Sequence, residues 1–254
     1  MEFFRWELKH HWIGYNMNEE TLSNLDSDEI EEIEKLTLRW VFQAVLDFGM
    51  EAHEVFFKSP DNVKDIAEDI TRELLDRLPG FNVQQRIYGN VDYKRARYII
   101  LPEKTVRQAL FIDSKAEKEN RSATIQMSQT SMWIRQRRSG RAVNEKGFLP
   151  EVSEYGGNHY LTTTCLMHFL YEDEADIHHL KEVKITAIPN GRLQDRYNPT
   201  VDDGIWLAGR NAPTRGEDFR VRVSFAKLKE KASWRVQVIN YDEMTKECRG
   251  EWQS

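Results

Sequence analysis

The spacing of apolar residues changes once in this chain, at Leu78-Pro79-Gly80, and that change orders everything on either side of it. Upstream, Ile30, Ile33, Leu36, Trp40, Val41, Ala44, Val45 and Phe48 recur at helical spacing after Asp26-Ser27-Asp28-Glu29, an acidic helix start. The stripe predicts a helix running on toward Phe57, broken at Ser59-Pro60-Asp61. A second stripe, Val63, Ile66, Ala67, Ile70, Leu74 and Leu78, predicts a second helix ended by Pro79-Gly80. Such stripes face a core. Downstream the period falls toward two. Residues 83–101 read as extended chain with a bend, and 107–115 as a buried strand. Residues 119–134 are predicted helical, and a loop is bracketed by Arg138-Ser139-Gly140 and Tyr155-Gly156-Gly157-Asn158. Strands follow at 159–171 and 181–188, a turn at Asn190-Gly191 and a long Gly/Pro-bearing loop over 198–218. Phe219, Val221, Val223 and Phe225 then alternate with Arg220, Arg222 and Ser224, a half-buried strand with a basic face, and 234–239 is the final strand. Helices, then strands, then a helix and more strands give an α/β domain: a central mixed β-sheet flanked by helices. One domain spans 1–254, with 1–27 as an N-terminal extension.

Charge narrows the function. A net charge of −6 argues against a protein that merely coats nucleic acid, since counterion release needs Lys and Arg against phosphate. It leaves room for a DNA enzyme with a local basic cleft, because 17–34 is acidic whereas 86–97 and 135–141 are basic. No apolar run approaches the roughly 20 residues that span a bilayer, and Met1-Glu2-Phe3-Phe4-Arg5-Trp6 is too polar for a signal peptide. A soluble cytoplasmic protein without a membrane partner is expected. Cys165 and Cys248 form no CxxC pattern and are expected to be buried thiols.

Chemistry centres on Ala109-Leu110-Phe111-Ile112-Asp113-Ser114-Lys115. An apolar strand delivers an acid and a lysine two residues apart, which alternation places on one face. Asp92 lies 21 positions upstream of Asp113, in Gly89-Asn90-Val91-Asp92-Tyr93. Two carboxylates suit a hard divalent ion such as Mg²⁺, which polarises a phosphoryl oxygen and acidifies a bound water. A lysine beside them can position that water and offset charge in the transition state. Two solvated charges at a strand end are the plain alternative. His10-His11 and His178-His179 are expected to be exposed, and His159 and His168 structural.

A set of segments in fixed order resembles one family. They are Ala67-Glu68-Asp69-Ile70-Thr71, Asp92-Tyr93-Lys94-Arg95, Phe111-Ile112-Asp113-Ser114-Lys115-Ala116, Glu119-Asn120-Arg121 and Gln126-Met127-Ser128-Gln129. Arg196-Tyr197-Asn198-Pro199, Ala208-Gly209-Arg210, Pro213-Thr214-Arg215-Gly216-Glu217, Arg220-Val221-Arg222-Val223 and Leu228-Lys229-Glu230 continue the series. From about Asp28 to the C-terminus the chain resembles the SfiI-type restriction endonucleases of the PD-(D/E)XK superfamily. The resemblance implies a restriction-endonuclease-like core, with Asp92, Asp113 and Lys115 catalytic and Mg²⁺ held by Asp92, Asp113 and Ser114. It implies double-strand cleavage of DNA at a GC-rich interrupted palindrome with GGCC-like half-sites, leaving 5′-phosphates and 3′ overhangs. It implies a homo-oligomer, dimer or tetramer, and a cognate DNA methyltransferase. Together with a more distant likeness to the BglI type, it implies that Arg220 and Arg222 read bases, with Arg210, Arg215 and Arg121 as further DNA contacts. Residues 1–27 have no counterpart, 139–157 match poorly, and Arg210 stands where the family has lysine. Glu68 and Asp69 are candidates to assist at the metal, with a plain helix-surface role equally open.

Two other readings keep parts of this. One is a repair or recombination nuclease that reads DNA structure; the other is a DNA-binding module without activity. The Arg-x-Arg strand speaks against the first and the intact Asp92, Asp113 and Lys115 set against the second.

Overall fold

Asp26 opens the first helix as the sequence predicts. Its Oδ1 accepts from the Asp28 and Glu29 amides at 2.9 and 2.8 Å, and Glu29 Oε2 accepts from the Asp26 amide at 2.9 Å, a reciprocal cap. In the computed structural model, which describes residues 22–58, 62–76, 85–87, 95–101, 106–118, 121–155, 157–174, 177–210, 219–242 and 244–254, this helix is α1, Ser27–Lys58. Helix α2, Val63–Asp76, begins where Asn62 Oδ1 accepts from the Lys64 amide. Both predicted stripes are buried: Ile30, Ile33, Val41 and Val45 of α1, and Ile66, Ala67, Ile70 and Leu74 of α2. Val41, Val45 and the α2 stripe pack against Leu110, Cys165, Met167, Phe169, Val183 and Ile185 of the main sheet, while Ile30 and Ile33 join a second cluster with Leu161, Leu166 and Ile188. Burial pushes the Cys165 thiol up to about 12, so it is an inert core group.

The strands are β1 Gln85–Ile87, β2 Arg95–Leu101, β3 Val106–Glu117, β4 Ser122–Ile125, β5 Trp133–Arg138, β6 Arg141–Lys146 and β7 Val152–Tyr155. They continue as β8 Asn158–Glu174, β9 Ile177–Ile188, β10 Trp206–Ala208, β11 Val221–Ser224, β12 Val236–Asp242 and β13 Glu247–Arg249. The main sheet has the order β1-β2-β3-β8-β9-β12-β13, with β7 also pairing β8. Its one parallel pair is β3 with β8, Asp113 opposite Leu166 and Lys115 opposite His168, so the sheet is mixed. A second sheet, β10-β11-β4, and the hairpin β5–β6 complete the strands. The fold is a mixed α/β architecture around a central mixed sheet. No helix among the described residues is long and apolar enough to cross a membrane.

Buried charge ties α1 to the 3-10 turn Ser233–Arg235 that precedes β12. Arg235 is fully buried between the rings of Tyr197 and Trp234, with centroids 4.2 and 4.3 Å away. Its guanidinium meets Glu34 at 2.8 Å, and Glu34 also accepts the Asn190 amide at 2.8 Å. Such a pair stabilises only as a complete unit, since losing one partner strands the other charge in the core.

Several local expectations give way to tertiary pairing. The helix expected over 119–134 is instead β4, a 3-10 turn at Met127–Gln129 and the start of β5. Ala123 and Ile125 alternate inward there, packed with Val221 and Val223 across the β4–β11 ladder. The loop expected between residues 139 and 157 contains β6 and β7. Ser139 and Gly140 both have positive φ, 47° and 78°, the requirement of a two-residue hairpin turn between Arg138 and Arg141. Phe225 leaves the basic strand to begin a helix, Phe225–Lys231, capped by Ser224 Oγ; with the short Gln194–Tyr197 helix there are four among the described residues. Trp234 sits in a 3-10 turn before β12, and β13 follows as a further strand.

Candidate active site

Alternation along β3 separates two kinds of polar residue. Gln108 and Ser114 point toward the helices. Gln108 Oε1 accepts from Thr37 of α1 at 2.9 Å, and Ser114 Oγ donates to Thr71 of α2 at 2.6 Å. Asp113, Lys115 and Glu117 occupy the opposite face. Lys115 Nζ lies 2.6 Å from Asp113 Oδ2, and their side chains are 20% and 26% exposed, open enough to meet a substrate. Gln129 Nε2 donates to Asp113 Oδ1, and Gln129 is itself fixed by accepting the Gln126 amide at 2.8 Å. Asp113 Oδ2 is buried, and the charge that meets it is the Lys115 ammonium at 2.6 Å. An anionic oxygen held this way suits a cation.

Glu117 ends the row. Its carboxylate accepts from Arg222 Nη2 at 2.9 Å and from the Thr124 amide at 3.4 Å, with His168 Nε2 at 3.7 Å. Burial opposes its ionisation, but the His168 ring and the Arg222 guanidinium outweigh that and pull the carboxyl down to about 2.

The expected base-reading residues separate in space and in freedom. Arg220, Arg210 and Arg121 are exposed. The Arg220 amide donates to Arg210 O at 3.0 Å, so these two prolong the β10–β11 ladder side by side. Arg222 is half-buried on β11 and is not an unattached strand residue. It donates through Nε to Ser122 Oγ at 2.8 Å, Nη1 to Thr124 Oγ1 at 3.1 Å and Nη2 to Ser122 O at 2.6 Å, besides Glu117. Asp92 and Arg215 lie outside the described residues. The described start of β2 is Arg95, one position beyond the Ala96–Phe111 pairing and level with Ile112.

The Ser114 side chain does not join Asp113; only its backbone lies at the site, because strand alternation turns Oγ under α2. Glu68 and Asp69 are on α2, engaged with Lys64 at 3.8 Å and Arg72 at 2.8 Å. The basic stretch over 135–141, which the charge pattern marks as a candidate for a basic cleft, is largely spent within the fold. Arg135 donates to Pro199 O at 2.7 Å, and Arg137 grips Asp202 with two hydrogen bonds. Arg138, its basicity lowered by burial, bonds Arg220 O and Gly209 O at 3.0 Å each and stacks over Phe219 at 4.3 Å. It therefore braces the two chain segments that present Arg220 and Arg210. Gln129 and Glu117 were not assigned roles from sequence. Glu117 was accessible to it, as the next residue in the alternation after Lys115, whereas nothing in the spacing joins Gln129 to Asp113.

A family model described as type II restriction enzyme SfiI matches residues 46–239. Type II restriction enzyme SfiI of Streptomyces fimbriatus is 34% identical over 243 residues, covering 90% of each chain. The crystal structure of tetrameric restriction endonuclease SfiI bound to cognate DNA matches with a TM-score of 0.80 at 32% identity, over 91% of each chain. Restriction endonuclease BglI bound to its DNA recognition sequence shares the fold, with a TM-score of 0.69 at 15% identity over 89% of this chain and 95% of that one. This chain therefore belongs to the SfiI family of type II restriction enzymes and is a site-specific endonuclease.

Proposed function

We propose that the protein makes Mg²⁺-dependent double-strand cuts at a GC-rich interrupted palindrome with GGCC-like half-sites, leaving 5′-phosphates and 3′ overhangs. The observation that carries this is the Asp113–Lys115 pair on the open face of β3, with one carboxylate oxygen fixed by Gln129 and the other buried and met by the Lys115 ammonium. Asp113 and the backbone carbonyl of Ser114 would hold the ion together with Asp92. Asp92 is three residues from Arg95, within roughly 10 Å of extended chain. The ion, when bound, supplies Lewis acidity toward a phosphoryl oxygen and lowers the pKa of a water. Gln129 keeps the Asp113 carboxylate turned to the site. Lys115, its contact with Asp113 given up, orients the attacking water and offsets negative charge on the phosphate.

Arg220, Arg222, Arg210, Arg215 and Arg121 form the proposed DNA-reading and phosphate surface; arginine to guanine is the commonest specific base contact. One subunit carries one such site and cuts one strand, so cleavage of both strands needs at least a two-fold dimer, which reads a palindrome. The SfiI relative is a tetramer on DNA, and we extend that assembly to this chain as a single-domain subunit. It works in the cytoplasm beside a methyltransferase that protects the same site. Incubation with phage DNA and Mg²⁺ followed by sequencing of the ends tests the proposal. One interrupted GC-rich palindrome with 3′ overhangs is expected. Ends scattered without a common sequence, or mapped to branched structures, would mean a nuclease that reads DNA shape. A plasmid with two mapped sites should be cut faster than one with a single site if the tetramer is correct.

A further inference from the structure

Glu117 is a third acid on the reactive face of β3, yet it cannot serve the same ion as Asp113. Four strand residues at ~3.3 Å rise separate them by about 13 Å, far beyond the ~2.1 Å of a magnesium–oxygen bond. Its carboxylate is committed elsewhere, to the guanidinium of Arg222 across the gap between the main sheet and the β4–β11 ladder. His168, completely buried and packed edge-on against Phe225 at 5.4 Å, approaches the same carboxylate oxygen as Arg222, at 3.7 Å, so the carboxylate is held from the sheet as well. Ser122 and Thr124 grip the same guanidinium from β4, the strand that directly follows the catalytic one.

We propose that Glu117 is a positioning residue that aims Arg222 at the base it reads and makes that aim part of the catalytic strand. The inference rests on the reading of Arg222 as a base contact. An arginine on an exposed strand samples many rotamers, and ordering it at the moment of binding costs affinity and discrimination. A carboxylate on the opposite strand removes that cost in advance and fixes the guanidinium plane, on which recognition of a guanine edge depends. Because Glu117 and Lys115 are two residues apart on one strand, a displaced Arg222 also disturbs the strand that carries the lysine. Base readout and cleavage are thereby joined through one short segment, residues 113–117.

The test compares wild type with Glu117→Gln, Arg222→Ala and the double variant. Each is assayed by single-turnover cleavage in Mg²⁺ on a 30-base-pair duplex carrying the site mapped from phage DNA, and on duplexes with one base pair of that site changed. Glu117→Gln keeps the shape and removes the charge. It should lower the cognate-to-changed rate ratio by about tenfold or more at the position Arg222 reads, within the range of a lost base contact. Arg222→Ala should lower the ratio at the same position, and the double variant should fall no further. A ratio unchanged in Glu117→Gln, or one that falls additively in the double variant, overturns the proposal: the first means a packing role and the second an independent contact of Glu117 with DNA. Circular dichroism and the urea midpoint confirm that each variant is folded, and Glu117→Ala serves in its place if the Gln variant does not fold. A wild type that does not cut in Mg²⁺, or an Arg222→Ala ratio equal to wild type, would instead overturn the underlying reading of the site.

Discussion

The two faces of β3 carry similar numbers of polar residues and treat them oppositely. Toward the helices, Gln108 and Ser114 are uncharged, almost fully buried, and each is met by one threonine hydroxyl, Thr37 or Thr71. Away from the helices, Asp113, Lys115 and Glu117 are charged, partly open and met by other charges or by Gln129. A neutral hydroxyl or amide needs only a partner or two to be buried cheaply, so it can help lock strand to helix. A charge buried under α2 would cost several kcal/mol. The residues that remain reactive are therefore those the strand turns toward the open face, and one alternating segment serves as scaffold and as site.

Exchanging the two faces in effect gives the largest contrast. Asp113→Ala should lose cleavage by on the order of 10³-fold or more, because it removes a proposed ligand of the ion that would activate water. The fold should survive with a lowered melting temperature, since Lys115 and Gln129 each lose the partner that Asp113 gives them. Leu110→Ala, on the helix-facing side and 1% exposed, should instead keep its rate. A cavity there costs ~2–5 kcal/mol of stability, while the single-turnover rate of the folded fraction stays within a few-fold of wild type. Calorimetry paired with single-turnover cleavage reads both; an Asp113→Ala enzyme cutting at the wild-type rate would remove it from the site.

Lys115→Ala comes next. Loss of the group that orients the attacking water should slow cleavage by roughly 10²–10⁴-fold, the usual range for a positioned acid–base side chain. Specific binding in Ca²⁺ should persist, since Lys115 engages Asp113 and not the reading strand. If binding falls while the single-turnover rate holds, Lys115 is a phosphate contact.

The same contrast explains what the sequence could disclose. Both helical stripes, the apolar approach to Asp113 and the Asp-x-Lys spacing depend on local periodicity, and the structure places α1, α2 and β3 accordingly. Residues 119–134 misled because Ser122–Ile125 is too short to declare a period and takes its form from β11. The arginines over 135–141 misled for a related reason: composition marks a residue as basic without showing whether a carbonyl waits for it. Arg138 is claimed by Arg220 O and Gly209 O, more than 70 positions away, whereas Arg220 itself is exposed. The resemblance places Ser114 with the metal set, and because alternation turns its hydroxyl under α2, the backbone carbonyl is the atom left to fill that role.

A smaller effect should appear in acid. Glu117 ionises at about 2 in the fold against an ordinary 4.5, so its charge stabilises the native state above pH 4.5, and that contribution fades as pH falls through about 2. The groups facing Glu117 are His168, Arg222 and the Thr124 amide. Urea titrations of wild type and Glu117→Gln should therefore differ by a constant amount above about pH 5 and converge toward pH 2. Curves that run parallel down to pH 2 would mean that Glu117 gains nothing from its charge.

Ser114→Ala should have the smallest effect, and it separates the two faces most cleanly. The Ser114 hydroxyl donates to Thr71 Oγ1 beneath the sheet, and Thr71 in turn donates to Ala67 O at 2.8 Å, so removing it leaves one acceptor short of a donor and no charge stranded. A cost of about 1 kcal/mol of stability follows from an ordinary buried hydrogen bond. The backbone carbonyl proposed to meet the ion is untouched, so the dependence of cleavage on Mg²⁺ concentration should not move. If Ser114 acted through its side chain at the metal, the Mg²⁺ requirement would rise while stability stayed level. Measuring the Mg²⁺ midpoint and the urea midpoint on one preparation distinguishes the two. A moved Mg²⁺ midpoint with an unmoved urea midpoint would put the hydroxyl on the reactive face and undo the division of β3 into scaffold and site.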